Sequence, residues 1–175
     1  MQISLLISSK LAFESLKQTK QNITFEQAII KAETFCAYKE RCVSELKNKL
    51  RLLKLQETDA EKIIKIMLEK GFVNEERYIE SFVRSKFKIK KWGSNKIKAE
   101  LSKKGLKGQI VEKYINQIDE DKVNEQLTLL IEKKLNHSSY QKKDKQEKYQ
   151  ALYRYLLTKG YSSKDISLAL KVSLS

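Results

Sequence analysis

The sequence predicts an all-α protein built from three tandem three-helix repeats forming an elongated, curved array. Three observations lead there. From Thr24 onward, apolar residues recur at i, i+3 and i+4, the period of one helix face. The 175 residues contain no proline, so nothing in the chain forbids a long helical series. Three glycines share one local sequence: Lys70-Gly71-Phe72, Lys104-Gly105-Leu106 and Lys159-Gly160-Tyr161. Runs of Val, Ile and Thr bounded by turn residues, the mark of a sheet protein, are missing.

The elements follow in order. Phe25, Ala28, Ile29, Ala32, Phe35 and Cys36 share a face, and Thr24 with Gln27 makes a capping box ahead of it. Ser44 caps a short helix carrying Leu46, Leu50 and Leu53. Thr58 and Glu61 form a second capping box, opening a helix with Ile63, Ile64, Met67 and Leu68 that Gly71 ends. Asn74 caps a helix with Tyr78, Ile79, Phe82, Val83 and Phe87 inward. Ser94 starts one holding Ile97 and Leu101, ended by Gly105. Val111, Tyr114 and Ile115 mark the next, and Val123, Leu127, Leu130 and Ile131 another. The polar stretch Asn136 to Lys145 reads as a loop. Two more helices carry Leu152, Leu156 and Leu157, then Ile166, Ala169 and Leu170, for a total of nine.

At the shared glycine motif, glycine takes the left-handed position after the helix. The following apolar residue folds back onto the last turn, and the preceding lysine complements the negative helix end. The motif is structural punctuation, and no glycine-rich phosphate cradle occurs in the chain. A shift of 51 aligns Leu46, Leu50, Leu55 and Ile64 with Ile97, Leu101, Leu106 and Ile115. A further shift of 55 places Ile97, Leu101, Gly105, Val111 and Ile115 on Leu152, Leu156, Gly160, Ile166 and Leu170. The repeats are therefore drawn at 24–73, 74–118 and 119–175, after a poorly ordered N-terminal extension, 1–23, that carries the apolar run Ile3 to Ile7. Each repeat is too small to bury much core alone, which favours stacking of neighbours. A single compact bundle is the other architecture compatible with the pattern.

Composition bounds the function. Cys36 and Cys42 do not make a disulfide framework and read as reduced thiols of a cytoplasmic protein. The N-terminal apolar run is too short to span a bilayer and lacks a basic segment before it, so no membrane association is expected. The net charge of +14 favours polyanions: nucleic acid, an acidic protein groove or an anionic membrane. The same excess is compatible with a solvated lysine-rich surface, and lysines outnumbering arginines argues against base-specific recognition.

Catalytic inventory is poor. The single histidine, His137, falls in the polar loop without a group to orient it for a triad. One histidine and two cysteines match no zinc spacing. Glu75-Glu76 and Asp119-Glu120-Asp121 could pair as acids or bind a hard cation, but each sits at a predicted helix start, where carboxylates meet the positive dipole end. The expectation is no catalytic residue, no cofactor and no metal.

The informative segment is Arg84 to Lys107, with ten basic residues and Glu100 as its one acid. Arg84, Lys86, Lys88, Lys90, Lys91, Trp92, Lys96 and Lys98 form the candidate partner-binding patch. Its cations can pair with phosphates or carboxylates. Trp92 either stacks on a base or fills a partner pocket, or it packs at the corner between helices, which is the expected placement. A second cluster, Lys133, Lys134, Lys142, Lys143, Lys145 and Lys148, is diluted by Asp144 and Glu147.

Leu68-Glu69-Lys70-Gly71-Phe72-Val73-Asn74-Glu75-Glu76-Arg77-Tyr78, followed by Ser81-Phe82-Val83-Arg84, resembles the signature segment of the RecX regulatory family. Lys86 to Gly93, with Lys96-Ile97, Glu100-Leu101 and Lys104-Gly105, is similar to that family's second repeat. Leu152 to Leu156 with Lys159-Gly160-Tyr161 is similar to its third. The resemblance runs from about Thr24 to Val172 and implies three tandem three-helix repeats. It also implies a partner rather than a reaction. That partner is the RecA recombinase and its filament on DNA, whose ATPase, strand-exchange and co-protease activities such proteins restrain. Weak non-specific DNA contact and a monomeric state go with that expectation. The long N-terminal extension of many members is reduced here to about twenty residues. The shared positions are largely structural, and Arg77 and Arg84 are equally suited to a partner contact or an internal salt bridge. The alternative function is a DNA-binding regulator using a helix-turn-helix, with a recognition helix near Ser44–Lys54 or Ser94–Lys104.

Overall fold

The computed structural model describes residues 23–174; the N-terminal extension with its apolar run lies outside them. The described residues form ten helices and no strand. They are α1 (Phe25–Ala37), α2 (Val43–Leu52), α3 (Glu57–Glu69), α4 (Glu75–Lys88), α5 (Ser94–Lys103), α6 (Gln109–Ile115), α7 (Glu120–Leu135), α8 (Ser138–Gln141), α9 (Lys145–Lys159) and α10 (Ser163–Ser173). Taken in chain order they are three sets of three helices, with α8 inserted as one extra turn.

Several helix starts form as their sequences dictate. Thr24 accepts from the Gln27 backbone N–H at 3.2 Å while the Gln27 side chain accepts from the Thr24 N–H. Asn74 Oδ1 accepts from Arg77 N at 2.9 Å, and Ser162 Oγ from Asp165 N at 3.1 Å. Two expected starts differ. The α3 N-cap is Gln56, which makes no side-chain cap, so Thr58 lies inside the first turn and its capping box is not formed. Helix α2 already begins at Val43, which places Ser44 within its first turn. The expected loop after Asn136 contains α8. Here His137 Nδ1 accepts from Ser139 N at 3.4 Å, and a true capping box of Asp144 and Glu147 opens α9.

The glycine stops are left-handed, with φ of 71° at Gly71, 84° at Gly105 and 89° at Gly160. At two of them the full Schellman pair is present. Leu106 N bonds Leu101 O while Gly105 N bonds Ser102 O; Tyr161 N bonds Leu156 O while Gly160 N bonds Leu157 O.

The chain divides into two compact units, residues through Lys39 with Glu45–Phe72, and Glu40–Ser44 with Val73 onward. In the first, α1 packs on α3 and Ala28, Ala32, Leu46, Leu50, Ile63 and Met67 are fully buried. The second holds two cores. Cys42, Tyr78, Ile79, Val83, Phe87, Ile97, Leu101, Leu106, Val111 and Ile115 cluster where α4, α5 and α6 meet. Leu127, Ile131, Leu152, Leu156, Tyr161, Ile166 and Leu170 cluster where α7, α9 and α10 meet. Both cysteines are buried, and they form no disulfide with each other.

Candidate partner-binding surface

The basic segment occupies the second half of α4, the turn after it and α5. Lys86 and Lys88 lie in the last turn of α4, where their charge complements the exposed carbonyls. Phe87 is buried and fixes that turn to the core. Trp92 N donates to Lys86 O at 3.1 Å, folding the indole back onto α4. The ring is half-buried and packs against the α4–α6 core.

Six of the seven candidate cations fall into two groups. Lys86, Lys96 and Lys98 are engaged within the protein. Lys86 Nζ stands 5.2 Å from the Trp92 ring and 5.0 Å from the Phe82 ring. Lys96 Nζ is 5.0 Å from the Trp92 ring and donates to the Thr158 carbonyl at 2.9 Å. Lys98 pairs with Glu112 at 2.7 Å. Arg84, Lys88 and Lys90 are exposed, and among the described residues none of them takes an ion-pair partner. Lys91 is half-buried at a left-handed φ of 54°, with its carbonyl accepting from Tyr161 Oη at 3.3 Å. The segment's one acid, Glu100, is bound by Lys103 at 2.6 Å, a hydrogen bond that holds its carboxyl below the usual range.

Arg84 and Lys88, one turn apart on α4, line a groove of about 250 Å³. Val83, Phe87, Tyr114 and Ile118 supply its apolar wall, and Glu80, Asp119 and Lys122 add further charge.

Other charged residues singled out in the sequence are structural. Arg77 Nε bonds Glu40 at 3.0 Å, an internal salt bridge. Glu76 accepts from Lys113 Nζ at 2.8 Å and from Tyr114 Oη at 2.9 Å. Those two hydrogen bonds, with the Lys113 charge behind them, lower the Glu76 pKa. The hydrogen bond to Glu76 and the carboxylate charge in turn raise the pKa of Lys113. Asp119 caps α7, accepting from Asp121 N at 2.9 Å. No group of three Cys, His, Asp or Glu side chains among the described residues is placed to hold a metal. Pairings such as Glu76–Lys113 link residues 37 apart, a spacing that periodicity within one helix does not reveal.

These features define a class, tandem three-helix repeats that present exposed cations near one helix end. Residues 74–115 match the family description "RecX, second three-helix domain", and residues 120–170 match "RecX, third three-helix domain". The chain belongs to the RecX family. Regulatory protein RecX of Clostridium botulinum (strain Eklund 17B / Type B) is 33% identical over 117 residues, covering 67% of this chain and 54% of the relative. That of Clostridium beijerinckii is 26% identical over 168 residues, covering 96% and 78%. The chain thus spans about half the length of the first curated relatives it matches. The crystal structure of RecX from Lactobacillus salivarius has a TM-score of 0.73 at 28% identity, covering 85% of this chain and 95% of that one. A second crystal structure, of a regulatory protein RecX, shares the fold with a TM-score of 0.72 at 21% identity.

Proposed function

We propose that this protein is a non-enzymatic regulator that binds the RecA recombinase and its filaments on DNA. It restrains their recombinase, ATPase and co-protease activities in DNA repair and the SOS response. Membership of the RecX family over two successive repeats carries this reading. Arg84, Lys88 and Lys90, without an ion-pair partner among the described residues, supply the cations for acidic side chains and phosphates along the filament, and Lys91 and Trp92 adjoin them. Many such contacts along a long footprint add up through effective concentration. The same cations give weak, sequence-blind, salt-sensitive contact with DNA alone.

The protein works as a monomer in the cytoplasm, and none of its described helices is long and apolar enough to cross a membrane. A helix-turn-helix reading has less support. In α5, one of the two candidate recognition helices, Lys96 is held by the Thr158 carbonyl and Lys98 by Glu112, which removes both from base reading. The test is the DNA-dependent ATPase and strand exchange of the cognate RecA at saturating protein. Inhibition supports the proposal, and unchanged rates refute it.

A further inference from the structure

The third repeat carries a groove that shares no residue with the patch just described. Helix α9 presents Lys145, Gln146, Tyr149, Gln150, Tyr153 and Arg154 as a stripe at i, i+4 spacing, opposite Ser167 and Lys171 of α10. Two contiguous cavities of about 710 and 430 Å³ lie between the helices, with Tyr149 and Ser167 common to both. The rings of Tyr149 and Tyr153 stand 6.0 Å apart and 20° from parallel, half-buried against the α7–α10 core. That packing holds the rings in place. The lining residues include three cations, Lys145, Arg154 and Lys171, and no carboxylate. All three are exposed, and among the described residues Arg154 commits only its Nε, to the Gln150 carbonyl at 3.4 Å.

We propose that this groove binds single-stranded nucleic acid. Bases lie on the Tyr149 and Tyr153 faces, while Lys145, Arg154 and Lys171 hold the phosphates. Fixed aromatic faces flanked by cations are the combination that strand binding without sequence preference requires. The Gln146 and Gln150 amides and the Ser167 hydroxyl add donors and acceptors for base edges and sugars. An acidic peptide would use the cations and leave the stacked rings without a role. A duplex keeps its bases stacked internally and cannot offer them to tyrosine, so the groove prefers an unpaired strand.

The test uses the full chain without any partner protein, and fluorescence anisotropy of a labelled oligothymidylate and of a duplex of equal length. The expected result is tighter binding of the single strand. Tyr149→Leu with Tyr153→Leu should weaken it about ten-fold or more while duplex binding stays unchanged. Arg154→Gln with Lys171→Gln changes only exposed side chains. It should weaken the single strand and flatten its salt dependence by about 0.7 of a log–log unit for every phosphate no longer neutralised. Unchanged single-strand affinity in both variants overturns the proposal. So does equal affinity for the duplex, or displacement of the oligonucleotide by polyglutamate as effective as displacement by unlabelled oligothymidylate.

Discussion

Gly93 and Gly160 meet backbone to backbone. Gly93 N donates to Lys159 O at 2.9 Å and Asn95 N donates to Gly160 O at 3.1 Å, so the first turn of α5 is satisfied by the last carbonyls of α9. Orphan donors of one helix thus pair with orphan acceptors of another, and opposite dipole ends face each other. A Cβ on Gly93 would collide with the Gly160 carbonyl, and one on Gly160 with the Lys96 backbone.

Alanine at either glycine should therefore cost about 3 kcal/mol, from forced displacement of two packed backbones. Gly105→Ala is the control. Its φ of 84° is strained for alanine but no atom lies within 4 Å, so the loss should be about 1 kcal/mol. Urea unfolding of the three variants checks this; equal losses would mean the close approach carries no energetic weight.

Glu76 links stability to acid. Its pKa is depressed by the Lys113 and Tyr114 hydrogen bonds, so its contribution is present above the ordinary glutamate value. That contribution is lost as pH falls through the lower folded-state value. Glu76→Gln should make stability less dependent on pH below about 4.5. Lys113 carries the opposite sign, its raised pKa giving stability that is lost only in strong alkali. Thermal midpoints from acid to neutral pH measure the acid effect, and an unaltered acid limb in Glu76→Gln contradicts it.

Tyr161 is buried, with its hydroxyl 3.2 Å from Gln126 Oε1 and 3.3 Å from Lys91 O. Burial pushes the phenol pKa well up, so it stays protonated in the folded protein. Tyr161→Phe strips a partner from Gln126, itself buried, and should cost about 1–3 kcal/mol. Gln126→Leu on that background should recover part of the loss, because it removes the unsatisfied amide. A double-mutant cycle in urea with no coupling between the two positions would sink this account.

What the sequence revealed was local. Helix periods, the Thr24 and Asn74 caps and the three glycine stops depend on residues within one turn of each other, and each is visible in a short window. The Gly93–Gly160 junction and the Glu76–Lys113 pair join distant residues, and no local pattern predicts them. Helix α8 was hidden because its cap is His137, an unusual N-cap, in a stretch with no apolar period. For the basic segment, composition located the charge but could not divide it. Only the carbonyl of Thr158 and the carboxylate of Glu112 reveal that Lys96 and Lys98 are engaged internally.

That division makes the patch separable by mutation. Arg84, Lys88 and Lys90 are exposed, so replacing all three by glutamine should cost little stability beyond the cation that Lys88 supplies to the end of α4. Binding to the RecA filament should weaken roughly ten-fold or more, mostly through slower association, and its salt dependence should become shallower. Lys96→Ala should instead lose the bond to Thr158 and the cation over Trp92, costing about 1 kcal/mol of stability. Lys98→Ala breaks a partly exposed ion pair worth well under that. Surface plasmon resonance on immobilised filaments, read beside thermal melts, tests the assignment. A triple variant that binds as the parent does would remove Arg84, Lys88 and Lys90 from the interface and place the docking surface elsewhere on the repeats.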